Sequence, residues 1–246
     1  MPKIAKVGGC IRDSILNVKT KDIDFTFVLD DLNQTVHQGF SQMKSWMEDK
    51  KFEIFLSTPD MFTIRAKFPS DHKYAGLAAD FVMARKEVGY VEGTRRPILE
   101  LGTLADDLVR RDFTLNALAE DEDGNIIDLF NGREDLANGI LRTPLPAKIT
   151  MMDDPLRILR ALRFSITKGF TIHEDIFVAM KQPEILEKLR VTVSGERIRE
   201  EINKMMQKDT VTSLKLLHSI DSTHIPGFLE LVFDRGLWLK PTFEKV

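Results

Sequence analysis

The chain has 246 residues, 43% hydrophobic and 30% charged, with a formal net charge of −3 at pH 7. That length allows one large domain or two modest ones with real cores, and the charge excludes a uniformly basic, nucleic-acid-coating surface while leaving room for a focused basic patch. One cysteine, Cys10, excludes an internal disulfide or a cysteine-rich zinc site, the five histidines show no ligand spacing, and no apolar run approaches the roughly 20 residues of a membrane helix.

In chain order, the opening MPKIAKVGGC lacks the pattern of a signal peptide, which points to a reducing, cytoplasmic setting, and its IAKV reads as a short strand turned by Gly8 and Gly9. RDSILN starts a helix, DIDFTFV is β-rich, LNQTVHQGFSQMKSWMEDK carries helical spacing, and FEIFLS, FTIRAKF and ADFVMARKE are further strand candidates. VGYVEGTRRP, with two glycines and a proline, reads as a mobile loop. LADDLVRRDFTLNALAED is helical in pattern, NIIDLF follows, and GREDLANG is a turn leading into a helix. From Asp153 the pattern is helical throughout: PLRILRALRF, with Pro155 suited to a first turn, then EDIFVAMKQ, PEILEKL and ERIREEINKMM. The expected fold class is α+β, with a mixed sheet and helices over residues 1–140 and an all-helical domain over 141–246.

The chemistry starts from a pair of aspartates. Asp22 and Asp24 stand at i and i+2 of a strand, so both side chains share one face. Two carboxylates held close repel each other unless a cation sits between them. Hard carboxylate oxygens suit Mg²⁺, and a pair of such ions can clamp the attacking and leaving oxygens of a phosphoryl transfer. A D-x-D also occurs in solvated turns, but the apolar flanks IDF and TFV make this one a strand bounded by core residues. Gly8 and Gly9 let the backbone approach a ligand so that N–H groups cradle phosphate oxygens, with the spacing of neither a Walker A loop nor a dinucleotide fingerprint. In a helix running from Asp153, Asp154 and Arg157 are i and i+3 and therefore neighbours on one face.

Gly8-Gly9, Arg12-Asp13 and Asp22-Ile23-Asp24 together resemble the G-G-x-x-R-D and D-x-D opening of the class II tRNA nucleotidyltransferases and the related bacterial poly(A) polymerases, in the polymerase β superfamily. RRDFTLNA at 110–117 resembles the family's second motif, DDPLRILRALRF at 153–164 its nucleotide-selecting helix, and SGERIREE at 194–201 the helix that braces it. The resemblance runs over most of residues 4–206 and implies a polymerase β-like nucleotidyltransferase head followed by a helical neck.

By that resemblance Asp22 and Asp24 would be catalytic and hold the metal, with Asp80 a candidate third carboxylate that reads equally as a structural aspartate. Gly8, Gly9 and Arg12 would face the triphosphate, and Arg111, Asp112 and Asn116 the phosphates and sugar, although LVRRDF alone reads as an exposed helical ion-pair face. Asp154 and Arg157 would read the base: cytosine and adenine each present an amine donor beside a ring-nitrogen acceptor, and a carboxylate only accepts while a guanidinium only donates. Uracil and guanine present the reverse pattern. Arg160 and Arg163 would continue towards phosphates, while Leu156, Leu159, Leu162 and Phe164 look like core; alone, the segment reads as an amphipathic helix with solvated arginines. Glu196 and Arg197 would brace.

The chain departs from the family pattern in carrying Asp153 where glutamate is often found. VGYVEGTRRP stands where the family keeps a flexible element used in switching from C to A addition, and its Arg95 and Arg96 read as substrate contacts or as plain surface charge. The sequence ends at IPGFLELVFDRGLWLKPTFEKV, where family members continue, so body and tail domains are expected to be absent or truncated. The implied activity is template-independent addition of C and/or A (CCA) to an RNA 3′ end, tRNA first, from CTP and ATP with Mg²⁺. A poly(A) polymerase-like enzyme and a catalytically weak nucleotide- or RNA-binding module are the alternatives, the first disfavoured because no basic G-R-[KR]-F-type segment follows the D-x-D strand.

Overall fold

A computed structural model describes residues 2–20, 23–90 and 97–233. The chain divides into two compact units, Met1–Arg133 and Glu134–Val246.

In the first, β1 (Lys3–Val7), α1 (Gly9–Ile15), β2 (Asp24–Val28), α2 (Val36–Asp49), β3 (Glu53–Thr58), β4 (Thr63–Lys67), β5 (Ala78–Met83), β6 (Arg85–Tyr90) and β7 (Pro97–Leu101) follow one another. Then come α3 (Leu104–Val109), a 3₁₀ turn at Thr114–Asn116, β8 (Leu118–Glu120) and β9 (Ile126–Asp128), and α4 (Gly132–Asn138) runs across the division into the second unit. Seven strands build a mixed sheet in the order β3-β4-β5-β2-β1-β8-β9. Only β2 and β5 in it run parallel. β6 and β7 form a separate antiparallel ribbon.

The two faces of the sheet are sorted by the period-2 alternation of its strands. Phe25 and Phe27 of β2, Ile4 of β1, Ile64 of β4 and Phe81 and Met83 of β5 pack against Phe40, Met43 and Met47, the buried stripe of α2. Phe25 stacks on Phe81 with ring centroids 5.3 Å apart, and the edge of Phe68 meets Phe25 at 5.0 Å. α2 starts where its stripe demands because Thr35 and Gln38 form a capping box: Gln38 N donates to Thr35 Oγ1 (3.2 Å) and Thr35 N to Gln38 Oε1 (2.9 Å). The opposite face has a smaller core of Ala5, Val7, Leu108, Ala117 and Ala119. Asp24 and Thr26 belong to that face.

Two expectations for this unit need correcting. Residues 104–121 are not one helix: α3 stops at Val109, Phe113 is extended (φ −133°, ψ 150°), and the 3₁₀ turn leads into β8. The cause is local, since the buried Asp112 carboxylate accepts from Phe113 N at 2.8 Å and so competes with helical pairing. The VGYVEGTRRP segment is not wholly a loop either. Gly89 and Tyr90 pair with Ile98 and Pro97 in the ribbon, where a proline at the first position of a strand removes no needed donor. Arg95 and Arg96 lie outside the described residues.

The second unit holds β10 (Ile140–Leu141), α5 (Ala147–Asp153), α6 (Leu156–Lys168), β11 (Thr171–Ile172), α7 (Glu174–Met180), α8 (Pro183–Thr192), α9 (Gly195–Lys208), α10 (Thr210–Ser219), a π-helical turn at Ile220–His224 and α11 (Phe228–Phe233). It is helical apart from the short parallel pairing of β10 with β11. α6 buries Leu156, Ile158, Leu159, Ala161, Leu162 and Phe164, packs on α9, and ends at Gly169 in the left-handed region (φ 72°). No helix starts at Asp153: α5 ends there, Asp154 is extended (φ −133°, ψ 99°), and α6 begins after Pro155. A residue before proline is pushed out of the α region, so Asp154 has to be the break. Among the described residues no helix is long and apolar enough to cross a membrane.

Candidate active site

The sheet register puts charged residues in a row on the face away from α2. Asp24 of β2 pairs with Asp80 of β5, and Asp80 with Arg65 of β4. Register partners on neighbouring strands point the same way. Arg65 Nε stands 3.3 Å from Asp80 Oδ1. Asp22 lies outside the described residues. Among those described, no group of three or more His, Cys, Asp or Glu converges. Two hard carboxylates side by side nonetheless form a donor pair that fits a divalent cation.

Val7 pairs with Asp24, which brings the turn at Gly8 next to this row. Gly8 has φ 83° and ψ −143°, conformations essentially reserved for glycine, and a Cβ there would lie 2.6 Å from Arg111 Nη1. A Cβ on Gly9 would lie 3.2 Å from Arg12 Nη2. Arg12 is itself buried; its Nε and Nη2 donate to Asp13 Oδ1 (3.0 and 2.9 Å) and its Nη1 to Asn116 Oδ1 (2.5 Å). Asn116 Nδ2 in turn donates to Asp112 Oδ1 at 2.9 Å. Arg12, Asn116 and Asp112 thus form one buried chain of charge-assisted hydrogen bonds, and the solvated helical ion-pair face that LVRRDF suggested is not what forms.

Three residues that the sequence reading passed over organise this face. Asp107, only 1% exposed, accepts from Arg110 Nε (3.1 Å) and Nη2 (2.5 Å), from Arg111 Nη2 (2.9 Å) and from the Thr26 hydroxyl (2.8 Å). Burial works against its charged form, but the Arg111 and Arg110 guanidinium groups and these hydrogen bonds outweigh that and hold its carboxyl below the usual range. Thr26 is the second, joining Asp107 to the strand of Asp24, and Arg65 the third. The signal for Asp107 was in the sequence: it precedes Arg110 by three residues and Arg111 by four, the spacings of neighbours on a helix. Arg111 Nε is buried with no hydrogen-bond partner among the described residues.

In the second unit, Asp154 and Arg157 do not share a helical face. Asp154 Oδ2 accepts from Arg197 Nη2 at 2.8 Å and its Oδ1 from Leu156 N at 3.2 Å, whereas Arg157 Nη1 donates to Thr150 O at 3.0 Å. Arg160 and Arg163 converge on Glu201 of α9, at 3.7 and 2.5 Å, and that carboxylate is buried. Arg163 also covers the Phe164 ring, 4.2 Å from its centroid. Both arginines tie α6 to α9.

Residues 5–142 match the family described as the Poly A polymerase head domain. The chain belongs to the class II tRNA nucleotidyltransferase and poly(A) polymerase family. Within it, the chain is 33% identical over 232 residues to tRNA nucleotidyltransferase cca1 of Schizosaccharomyces pombe, covering 89% of this chain and 44% of that protein. It is 34% identical to the Multifunctional CCA protein of Neisseria gonorrhoeae, over 89% of this chain and 48% of the other. The CCA-adding enzyme of Bacillus stearothermophilus, solved in complex with CTP, superposes with a TM-score of 0.70 at 25% identity, over 92% of this chain and 49% of that one. The chain therefore spans about half the length of the relatives it matches.

Proposed function

We infer that this protein is a template-independent nucleotidyltransferase that adds C and A to the 3′ end of tRNA from CTP and ATP. The observation that carries the reading is the row of Asp24 and Asp80 beside the Gly8 turn, in a chain whose relatives bear the names of CCA-adding enzymes and, in one solved case, were caught with CTP. Residues 1–140 then act as the catalytic head and 141–246 as the nucleotide-selecting neck.

In this account the RNA 3′ hydroxyl attacks the α-phosphate and pyrophosphate leaves. Asp22, Asp24 and Asp80 would hold Mg²⁺, which when bound supplies positive charge at the attacking and leaving oxygens. The Gly8 and Gly9 backbone and the buried Arg12 bind the triphosphate; Arg111, anchored by Asp107, presents a fixed guanidinium to it, and Asp112 and Asn116 orient the sugar. Asp154 accepts from, and Arg157 donates to, the Watson–Crick edge of C or A. Arg160 and Arg163, already engaged by Glu201, shape the selecting helix and contribute positive charge near phosphate. A cytoplasmic location suits the free, buried Cys10, although a Candida glabrata relative is named mitochondrial.

The test is Asp24→Ala. Incorporation of labelled CTP and ATP into tRNA lacking CCA is expected to fall by at least about 10³-fold, since the site's electrostatic stabilisation is removed, with the melting temperature unchanged. Near-normal incorporation by the purified variant would overturn the assignment.

A further inference from the structure

The row on the sheet does not end with its carboxylates. β4 adds Arg65, a register partner of Asp80, so that Asp24, Asp80 and Arg65 follow one another across three adjacent strands. Arg65 Nε lies 3.3 Å from Asp80 Oδ1, and the two side chains are 49% and 37% exposed. A carboxylate next to another carboxylate favours any nearby cation. Here the protein brings its own.

We propose that Arg65 is a resident counter-cation of the carboxylate row, competing with the divalent metal for Asp80 and setting how tightly that metal binds. The inference rests on the reading of Asp24 and Asp80 as metal ligands. The competition has two parts. The guanidinium engages one of the two Asp80 carboxylate oxygens, and its fixed positive charge repels a second cation on the same row. The same contact partly neutralises Asp80 on the row. Arg65 is a positioning residue: it acts on the site through Asp80. Because the pair is half exposed, solvent and salt screen it, and the effect is modest.

The experiment measures binding of Mn²⁺ alone, followed by electron paramagnetic resonance of the free ion, to the whole chain and to Arg65→Gln, Asp80→Asn, Asp24→Asn and the Arg65→Gln/Asp80→Asn double variant. Arg65→Gln is expected to bind Mn²⁺ about 2–5-fold more tightly than the parent at low ionic strength, with the gain shrinking as salt is raised. In the Asp80→Asn background the gain should shrink to the part that the arginine's charge alone supplies. Circular dichroism melting in EDTA checks that each variant is folded. Unchanged or weaker Mn²⁺ binding by folded Arg65→Gln, with Asp24→Asn still losing the ion, overturns the role of Arg65 alone. Mn²⁺ binding that Asp24→Asn leaves intact overturns the metal reading, and the role of Arg65 with it.

Discussion

Asp107 shows how a residue with no direct part in chemistry can decide where the chemistry is placed. Its carboxylate is buried, receives two arginines and a threonine hydroxyl, and thereby fixes Arg111 against Gly8. Asp107→Asn leaves two guanidinium groups beside a neutral amide, and breaking one partner out of a buried ionic cluster is expected to destabilise the first unit by about 3 kcal/mol, read by urea unfolding. The pH dependence has a definite sign. The folded carboxyl titrates below its unfolded value, so its contribution is fully present above the unfolded pKa and is lost as pH falls through the lower, folded one. Wild-type stability should therefore decline on acidification below the ordinary aspartate range, and the part of that decline due to Asp107 should vanish in the variant. Equal stability of the two proteins at neutral pH would contradict the role given to this carboxylate. No motif marks Asp107; only its helical spacing to Arg110 and Arg111 does, and that becomes informative once α3 is known to be a helix facing the sheet.

At the scale of elements, the sequence was most legible where burial imposes a period. The alternation of DFTFV and the i, i+3, i+7 stripe of Phe40, Met43 and Met47 define β2 and α2 because one face of each must leave water. It was least legible where a side chain competes with the backbone. Asp112 ends the helical run after α3 by taking the Phe113 amide, and Pro155 forces Asp154 out of the helix that the spacing of DDPLRILRALRF suggests. The second break matters for the candidate site, because Asp154 is oriented by Arg197 of α9 instead of by Arg157. Removing that partner should change selection more than stability. The pair is partly exposed, 52% and 31%, so Arg197→Ala is expected to cost less than about 1 kcal/mol, while incorporation of UTP and GTP rises relative to CTP and ATP. Unaltered discrimination in single-nucleotide incorporation would show that the Asp154 carboxylate does not depend on this brace. The hairpin of β6 and β7 was hidden for another reason: glycines at Gly89 and Gly93 and proline at Pro97 read as loop punctuation, and cross-strand pairing between segments separated in sequence leaves no local signature.

For the molecule as a whole, two compact units carry two sets of residues: candidate metal-holding carboxylates and candidate phosphate-binding groups on Met1–Arg133, and candidate base-reading groups on Glu134–Val246. The net charge of −3 does not hold RNA by bulk attraction, so in the proposed account binding rests on a few placed groups rather than on a basic surface. The chain matches relatives over about half of their length, and that half contains every residue assigned a chemical role here. The central claim is the proposed activity, the addition of C and A in order to a tRNA 3′ end. The direct measurement is incorporation of labelled CTP, ATP, UTP and GTP, singly and in pairs, with Mg²⁺, into tRNAs ending before CCA, after C and after CC. The account predicts growth to CCA and no further, with UTP and GTP excluded; open-ended A addition, or indifference to which nucleotide is offered, would contradict it.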